Sequence, residues 1–513
     1  MQDNTPVLIG AGQFTFRGAA ELAPSPLKLI KIAAERAAAD AGLNLAALAG
    51  LDALSVVGFT VDAPGGLAQL PFPRLSNPPA SLAKALGADP AYAVYSHMGG
   101  NSSQQLVNIL CERIARGEND FGLVVGAEFL GSLMKRLRTG KTFEDYEDDG
   151  GLPPPVRVGD PRPGVTDYEA AHGLGRPVNI YPLFENALRA KDHRSLADHQ
   201  KRLGALFAPF TKVAAANPEA WFPVERSAEE LVTVTDRNRM IGYPYPKYLN
   251  AIMEVDQSAG VIITSVRKAR ELGVAEDKWV YLHGCADAAD LWYPIDRQNF
   301  HSSPAIRMTG KRAFEMAGIG LSDIDFIDLY SCFPCAVEVA CDELGLAIDD
   351  PRGLTVTGGL PYAGGPGNNY AMHSIAVMLR KLRERPGSNG LVTANGWYLT
   401  KQSIGVYSTR PLEGGWERED PKVIQSRIDA LPHPSVVENP EGPATVETYT
   451  VVHGREGMLM GIVVGRDATG HRFVANTPDD DATLKAMEST EQIGRTGRVG
   501  PGAKPGHNLF VPD

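Results

Sequence analysis

Two stretches of the 513-residue chain repeat one pattern and decide the fold. Residues 99–128 read GGNSSQQLVNILCERIARGENDFGLVVGAE, and residues 365–396 read GPGNNYAMHSIAVMLRKLRERPGSNGLVTANG. Each stretch starts with a Gly-Asn turn, continues as an amphipathic helix and ends in a glycine-bounded apolar strand. Such self-similarity indicates an internal duplication.

A second matched pair precedes the first in both parts of the chain. Residues 32–57 read IAAERAAADAGLNLAALAGLDALSVV, and residues 308–329 read MTGKRAFEMAGIGLSDIDFIDL. In each, a helix closes on Ala-Gly, and glycine can adopt the left-handed conformation that ends a helix. The two pairs occur in the same order at nearly equal separations, which strengthens the case for duplication.

The predicted strands are short and apolar, at residues 54–57, 121–125, 326–329 and 391–393. Strands buried on both faces have this composition, and helices alternate with them. The sequence therefore predicts an α/β protein with two βαβ-rich halves and helices on both faces of the sheets. A single doubly wound sheet with coincidental similarity is the alternative.

Composition shifts along the chain predict four units. Residues 1–130 and 246–285 form the first half, 131–245 an insertion rich in Pro, Gly and charge, and 286–412 the second half. A long insertion in a compact domain is usually functional.

Residues 413–513 are predicted to hold a linker with a short helix at 421–430, then a small β domain with a hairpin turn at 467–470. The Gly/Pro-rich tail, 494–513, is expected to be extended or poorly ordered.

Composition excludes several classes of protein. Apolar residues make up 43% of the chain, and the net charge of −11 argues against nucleic-acid binding. No apolar run is long enough to span a membrane, and the first residues lack the basic start of a signal peptide. Five cysteines in so long a chain do not make a disulfide framework. A cytoplasmic protein is expected.

Three loops and a short motif suggest a family. They are SHMGGNSS at 96–103, DLYSCFPC at 328–335, GGLPYAGGPGN at 358–368 and TANG at 393–396. Together with the duplicated halves, over about residues 6–408, they resemble the thiolase superfamily, and within it the thiolase-like proteins of type 1, usually named acetyl-CoA acetyltransferase. The resemblance implies a duplicated thiolase fold in α/β/α/β/α layers with an additional OB-like β domain at the C-terminus. It also implies an acyl-CoA ligand or substrate and no covalently bound cofactor.

The resemblance also carries site residues over. Thiolases place a nucleophilic cysteine at the start of the first buried helix, where this chain has none and His97 falls near its place. Cys332 matches the cysteine of the family's His-Asp-Cys-Phe loop, and Tyr330 replaces its histidine. Gly365 stands where the Gly-His-Pro loop carries a catalytic histidine, and Asn395 lies where a second cysteine-containing loop is expected.

Each candidate has a functional and a structural interpretation. Cys332 is a base or nucleophile, or a small buried side chain. Tyr330 is a proton donor, as tyrosine is in the related steroid side-chain aldolases, or a packing aromatic residue. Asn101, Asn368 and Asn395 form an oxyanion hole, or satisfy turns, and His97 is a candidate for acid–base chemistry.

The remaining candidates are cations and metal ligands. Lys135, Arg136 and Arg138 form a basic run that could contact CoA phosphates, or a solvated face. Cys332 and Cys335 have redox spacing, but no second ligand pair for zinc accompanies them. His193 and His199 lie six residues apart and do not share a helical face, so no metal is predicted.

Three functions remain open. The first is a thiolase-like acyl-CoA-processing enzyme of the acyltransferase class that lacks the usual cysteine nucleophile and works by condensation, cleavage or retro-aldol chemistry. The second is a non-catalytic carrier of acyl-CoA or lipid. The third is a scaffold whose β domain recruits a partner. The resemblance allows a homodimer as well as a monomer.

Overall fold

A computed structural model describes residues 2–63, 66–143 and 155–513. The strands are β1 (Pro6–Thr15), β2 (Ala53–Val56), β3 (Tyr92–Ser96), β4 (Phe121–Glu128), β5 (Val156–Val158), β6 (Met240–Gly242), β7 (Tyr245–Pro246), β8 (Gln257–Ser265), β9 (Tyr281–Ala289), β10 (Phe326–Asp328), β11 (Asn389–Gly396), β12 (Lys401–Ser408), β13 (Gly442–His453), β14 (Met458–Asp467), β15 (Arg472–Asn476), β16 (Thr496–Pro501) and β17 (Asn508–Pro512).

The helices are α1 (Pro26–Asp40), α2 (Pro78–Leu86), α3 (Ser102–Ala115), α4 (Leu130–Arg138), α5 (Asp167–Ala171), α6 (Pro177–Lys191), α7 (Leu196–Ala216), α8 (Ala228–Val232), α9 (Val266–Glu271), α10 (Pro304–Ala317), α11 (Pro334–Leu344), α12 (Tyr370–Glu384), α13 (Pro421–Asp429) and α14 (Asp481–Ser489).

The 4 strands of the second sheet have the same order and direction as 4 of the 6 strands of the first sheet. In the first sheet the order is β1-β8-β4-β2-β3-β5, and in the second it is β9-β12-β11-β10. The pairs β1/β8 and β9/β12 are antiparallel, as are β8/β4 and β12/β11. The pairs β4/β2 and β11/β10 are parallel. The predicted duplication is therefore confirmed by the topology.

Helices from both halves form the middle layer of the fold. α3 and α12 contact each other and pack against strands of both sheets, while α1 covers the first sheet and α10 the second. Apolar side chains of α3 and α12 fill the space between the sheets, including Leu106, Leu110, Ile375 and Leu379. The predicted α/β/α/β/α layering is confirmed.

The matched Ala-Gly pairs end their helices as the sequence predicts. Gly42 follows α1 with a φ of 73°, and Gly318 follows α10 with a φ of 65°. Both values lie in the left-handed region, where a side chain would be strained. Each glycine lets the chain turn back towards the next buried strand.

The C-terminal domain is a five-stranded barrel. β13 pairs with β14, β14 with β15, β15 with β17, β17 with β16, and β16 with β13 again. α14 lies between β15 and β16 in the chain. A partly open five-stranded Greek-key barrel is the architecture of OB-folds, so the OB-like prediction is confirmed.

The C-terminal tail is more ordered than its composition predicts. Residues 494–513 were expected to be extended or poorly ordered, but they form β16 and β17 and complete the barrel. Phe510 in β17 is buried in the barrel core. Glycine and proline dominate the composition here, yet a few apolar residues facing inward are enough to order the segment.

The insertion contributes strands to the first sheet and to the barrel. β5 pairs with β3 at the edge of the first sheet, and β6 pairs with β13 of the barrel. The predicted boundaries at 130/131, 245/246 and 285/286 fall inside α4, β7 and β9. Composition changes locate a segment, whereas hydrogen bonding to distant strands decides where an element begins and ends.

Membrane-spanning helices and disulfide bonds are both absent from the described residues. In the described ranges, no helix combines the length and the apolar character needed to cross a bilayer. All five cysteines are free and buried.

Removing the buried ring of β17 should destabilise the barrel. We expect Phe510→Ala to lower the free energy of unfolding by about 3–5 kcal/mol, because it leaves a cavity in the core. Val511→Ala, at the neighbouring and exposed position, should change it by less than about 0.5 kcal/mol. Urea denaturation measures both, and equal losses would mean that β17 does not close the barrel.

Candidate active site

The loops that precede α3 and α12 meet between the two halves. The Gly99 N–H donates to Asn368 Oδ1 at 2.9 Å, and Asn368 Nδ2 donates to the Gly58 carbonyl at 2.7 Å. Ser103 Oγ donates to the Asn368 carbonyl at 3.1 Å. The side-chain amide of Asn368 therefore joins the halves, and this uses one of its two N–H donors.

Tyr330 fills the space beside Gly100. A Cβ at position 100 would lie 2.3 Å from Tyr330 Oη and 2.4 Å from the Asn395 carbonyl, so no side chain fits there. The Tyr330 N–H donates to Thr393 Oγ1 at 2.9 Å. Burial, followed by the nearby Cys332 and Tyr370, raises the Tyr330 pKa well above its ordinary value. The hydroxyl is thus a protonated donor aimed at the first loop.

Cys332 lies beside Asn395 and Tyr181. Asn395 Nδ2 is 3.9 Å from Cys332 Sγ and donates to Tyr181 Oη at 2.8 Å. Burial raises the pKa of the Cys332 thiol to about 12, and hydrogen bonds from Tyr181 and the backbone lower it only in part. At neutral pH Cys332 is therefore a thiol rather than a thiolate.

Tyr181 is a site residue that the sequence did not reveal. It comes from α6 in the insertion, stacks on Phe333 with ring centroids 4.4 Å apart, and donates to the Trp397 carbonyl at 2.9 Å. Trp397 and Leu399 hold positive φ values of 55° and 58° in the turn after β11. An aromatic residue in an apolar helix normally indicates core packing, so the sequence carried no signal for this contact.

The other candidates in the loops are His97, Asn101 and Gly365, and each has its own contacts. His97 extends the pairing of β3 with β5, and its Nδ1 lies 3.3 Å from Arg157. Burial, and then Arg157, lowers the His97 pKa. Asn101 is buried and donates to Ser403 Oγ at 3.3 Å, while its Oδ1 has no partner among the described residues. The Gly365 N–H donates to the Ile252 carbonyl at 2.8 Å.

A cleft of about 490 Å³ opens next to these loops, lined by side chains that include Asn101, Arg162, Trp292, Lys401 and Gln402. Gln402, which lines the cleft, donates through Nε2 to Asn395 Oδ1 at 3.2 Å. Asn395 therefore connects the cleft to Cys332.

Lys401 is a second residue that was missed. Its Nζ donates to the carbonyls of Met98 at 2.6 Å and Asp160 at 2.9 Å, which fastens the first loop to the insertion. Burial lowers the Lys401 pKa to about 8. A lysine inside the otherwise buried strand KQSIGVYS was the signal that could have identified it.

Family models match the second half and the C-terminal domain. Residues 287–409 match the thiolase C-terminal domain-like model, and residues 423–504 match the thiolase-like protein type 1 additional C-terminal domain. The crystal structure of a monomeric SCP2-thiolase-like protein type 1 from Mycobacterium smegmatis is 39% identical, with a TM-score of 0.84 over 100% of both chains.

This chain belongs to the thiolase-like proteins of type 1.

Curated relatives are more distant. The 3-ketoacyl-CoA thiolase of Erwinia tasmaniensis is 26% identical over 321 residues, which cover 58% of this chain and 68% of that one. The acetyl-CoA acetyltransferase of Methanocaldococcus jannaschii is 24% identical over 143 residues, or 28% of this chain. The match spans only 35% of the length of the archaeal protein. The fold is therefore related to that of enzymes acting on CoA thioesters.

The basic run of this thiolase-like protein is divided between two environments. Arg136 in α4 donates to the carbonyls of Ala20 at 2.9 Å, Thr142 at 2.8 Å and Glu21 at 3.0 Å. Lys135 and Arg138 are exposed. The guanidinium of Arg136 thus holds the chain around α4, and the other two cations face outward.

The high pKa of Cys332 predicts slow alkylation. At pH 7.5, iodoacetamide should modify native Cys332 on the order of a thousandfold more slowly than an unperturbed cysteine, because only the thiolate reacts. The rate should rise about tenfold per pH unit up to the pKa. Peptide mass mapping of native and urea-unfolded protein over time measures both rates. Rapid labelling of native Cys332 at neutral pH would contradict the protonated thiol.

Proposed function

We propose that this chain processes an acyl-CoA thioester without forming a cysteinyl acyl-enzyme, as an acyltransferase-class protein similar to acetyl-CoA C-acetyltransferase. The observation that supports this most is the state of its cysteines within a thiolase fold. Residues 96–103 contain no cysteine, and burial raises the pKa of Cys332 to about 12. A protonated thiol is a poor nucleophile.

We further propose that neutral hydrogen-bond donors act on the thioester. Tyr330 Oη, next to Gly100, would donate a hydrogen bond or a proton to the thioester oxygen. Asn395 Nδ2 and the Cys332 thiol would hold the same oxygen, since preorganised donors stabilise charge that develops in a transition state. His97 has a lowered pKa, is neutral at pH 7 and is the proposed proton acceptor.

Other residues are proposed to position or bind. The amide of Asn368 and the N–H of Gly365 are engaged in contacts between segments, which supports positioning roles for both. Asn101 lines the cleft, and its Oδ1, which no described residue hydrogen-bonds, could accept from a ligand. The exposed Lys135 and Arg138 are the proposed phosphate contacts for CoA.

Tyr330→Phe tests the proposal with little structural change. With acetoacetyl-CoA plus CoA, or with a β-hydroxyacyl-CoA, we expect turnover to fall by about a hundredfold or more, because the proton donor is lost. Chromatography of acetyl-CoA, free CoA and aldehyde measures the products. Tyr407→Phe is the matched control, because Tyr407 is also buried, lies in β12 outside the three loops and donates to Gln104 Oε1 at 2.8 Å.

Intact mass spectrometry after the same incubation distinguishes the alternatives. An acyl adduct on Cys332 would overturn the non-covalent proposal. Aldehyde formation that depends on Tyr330 would favour the retro-aldolase, which the tyrosine in this loop supports. A thermal shift with CoA but no product would favour the non-catalytic carrier, which the raised pKa values of Tyr330 and Cys332 support.

We also propose that the chain acts as a monomer, the state stated for the Mycobacterium smegmatis protein. The edge strand next to β3 is β5, with only 3 residues, and so short an edge strand disfavours pairing with a second sheet. Light scattering should give a mass near 55.0 kDa, and twice that mass would indicate a homodimer.

A further inference from the structure

Two glutamates and a histidine from three helices meet outside the candidate active site. Glu185 lies in α6, His199 in α7 and Glu338 in α11, and each is at most 2% exposed. One carboxylate oxygen from each glutamate and one imidazole nitrogen all lie within 4.8 Å of one another. Buried charges of this kind must be paired or bound to a metal ion.

Among the described residues, the atoms that face each other have no assigned hydrogen-bond partner. They are Glu185 Oε1, His199 Nε2 and Glu338 Oε2. His199 Nε2 lies 2.8 Å from Glu185 Oε1, but without the alignment of a hydrogen bond. The three atoms therefore lie close enough together to share one bound ion or proton.

The other carboxylate oxygen of each glutamate accepts a hydrogen bond from a neighbouring side chain. Tyr245 Oη donates to Glu185 Oε2, and Arg202 Nε donates to Glu338 Oε1 at 2.6 Å. Outer hydrogen bonds of this type orient the ligands of protein metal sites.

Without a cation, burial keeps the groups of this cluster from taking up their full charge. Burial lowers the His199 pKa to about 4, so the imidazole is neutral and can coordinate. Burial and the neighbouring Glu185 raise the Glu338 pKa to about 8. Without a cation, the two carboxyl groups would have to share a proton.

We propose that Glu185, His199 and Glu338 bind one divalent transition-metal ion. Imidazole with two carboxylates suits zinc, manganese or iron, whereas magnesium and calcium prefer oxygen ligands alone. The two carboxylates balance the charge of the ion. The ion would tie α6 and α7 of the insertion to α11, which starts directly after Cys332 and Phe333.

Binding requires one local adjustment. Arg194 lies 2.9 Å from His199 Nδ1, which must carry the proton once Nε2 coordinates the ion. Arg194 also pairs with Asp192 and Glu338. The Arg194 guanidinium can stay paired with Asp192 and Glu338 while its contact with the His199 imidazole is broken.

The test uses the full chain purified without a histidine tag. Plasma mass spectrometry should find one transition-metal ion per chain, and after EDTA dialysis, titration with Zn²⁺ or Mn²⁺ should restore it and raise the Tm. We expect Glu338→Gln and His199→Gln to weaken ion binding by at least about tenfold. His433→Gln, which changes an exposed histidine, should leave it unchanged.

Two results would overturn the site. If the wild-type chain binds no ion and E338Q is as stable as the wild type, the glutamates share a proton, because Gln mimics the protonated acid. If an ion binds with equal affinity to wild type, E338Q and H199Q, its ligands lie elsewhere. Because H199Q removes a ligand without changing either carboxylate, a folding defect of E338Q alone does not decide the outcome.

Discussion

The contact between the starts of α3 and α12 is the constraint on which the rest of the molecule depends. Both helices lie between two sheets, where polar groups have no access to bulk water and must be paired. The Asn368 side chain meets this need by accepting from Gly99 and donating to Gly58. The loops of the two halves are therefore held against each other, and Tyr330 and Asn395 are brought to Gly100.

Burial at this meeting point determines the chemistry of the side chains. The N-terminus of a helix lowers the pKa of a thiol, and backbone N–H groups act in this direction at Cys332. Desolvation nevertheless prevails, since the Cys332 pKa rises to about 12 and the pKa of Tyr330 also rises. A low-dielectric environment favours the neutral form of both groups. The loops thus present a neutral thiol and a neutral hydroxyl.

The insertion completes the site by supplying buried polar groups to the second half. Tyr181 reaches Asn395 and the Trp397 carbonyl, and Tyr245 Oη accepts from the Cys335 N–H in α11. Lys401 in turn binds carbonyls of the first loop and of the insertion. These contacts bridge segments that are far apart in sequence, so a change in the insertion alters the loop around Cys332.

The sequence alone determined the duplicated architecture, the family and the loops that carry the candidate residues. These depend on periodicity, on glycines such as Gly42 and Gly318, and on motifs, all of which are local properties. Only the tertiary structure decided that residues 494–513 close a barrel, that Tyr181 and Lys401 join the candidate site, and that Cys332 stays protonated. Strand partners, burial and pKa depend on which distant residues pack together, and nothing in a single local stretch specifies them.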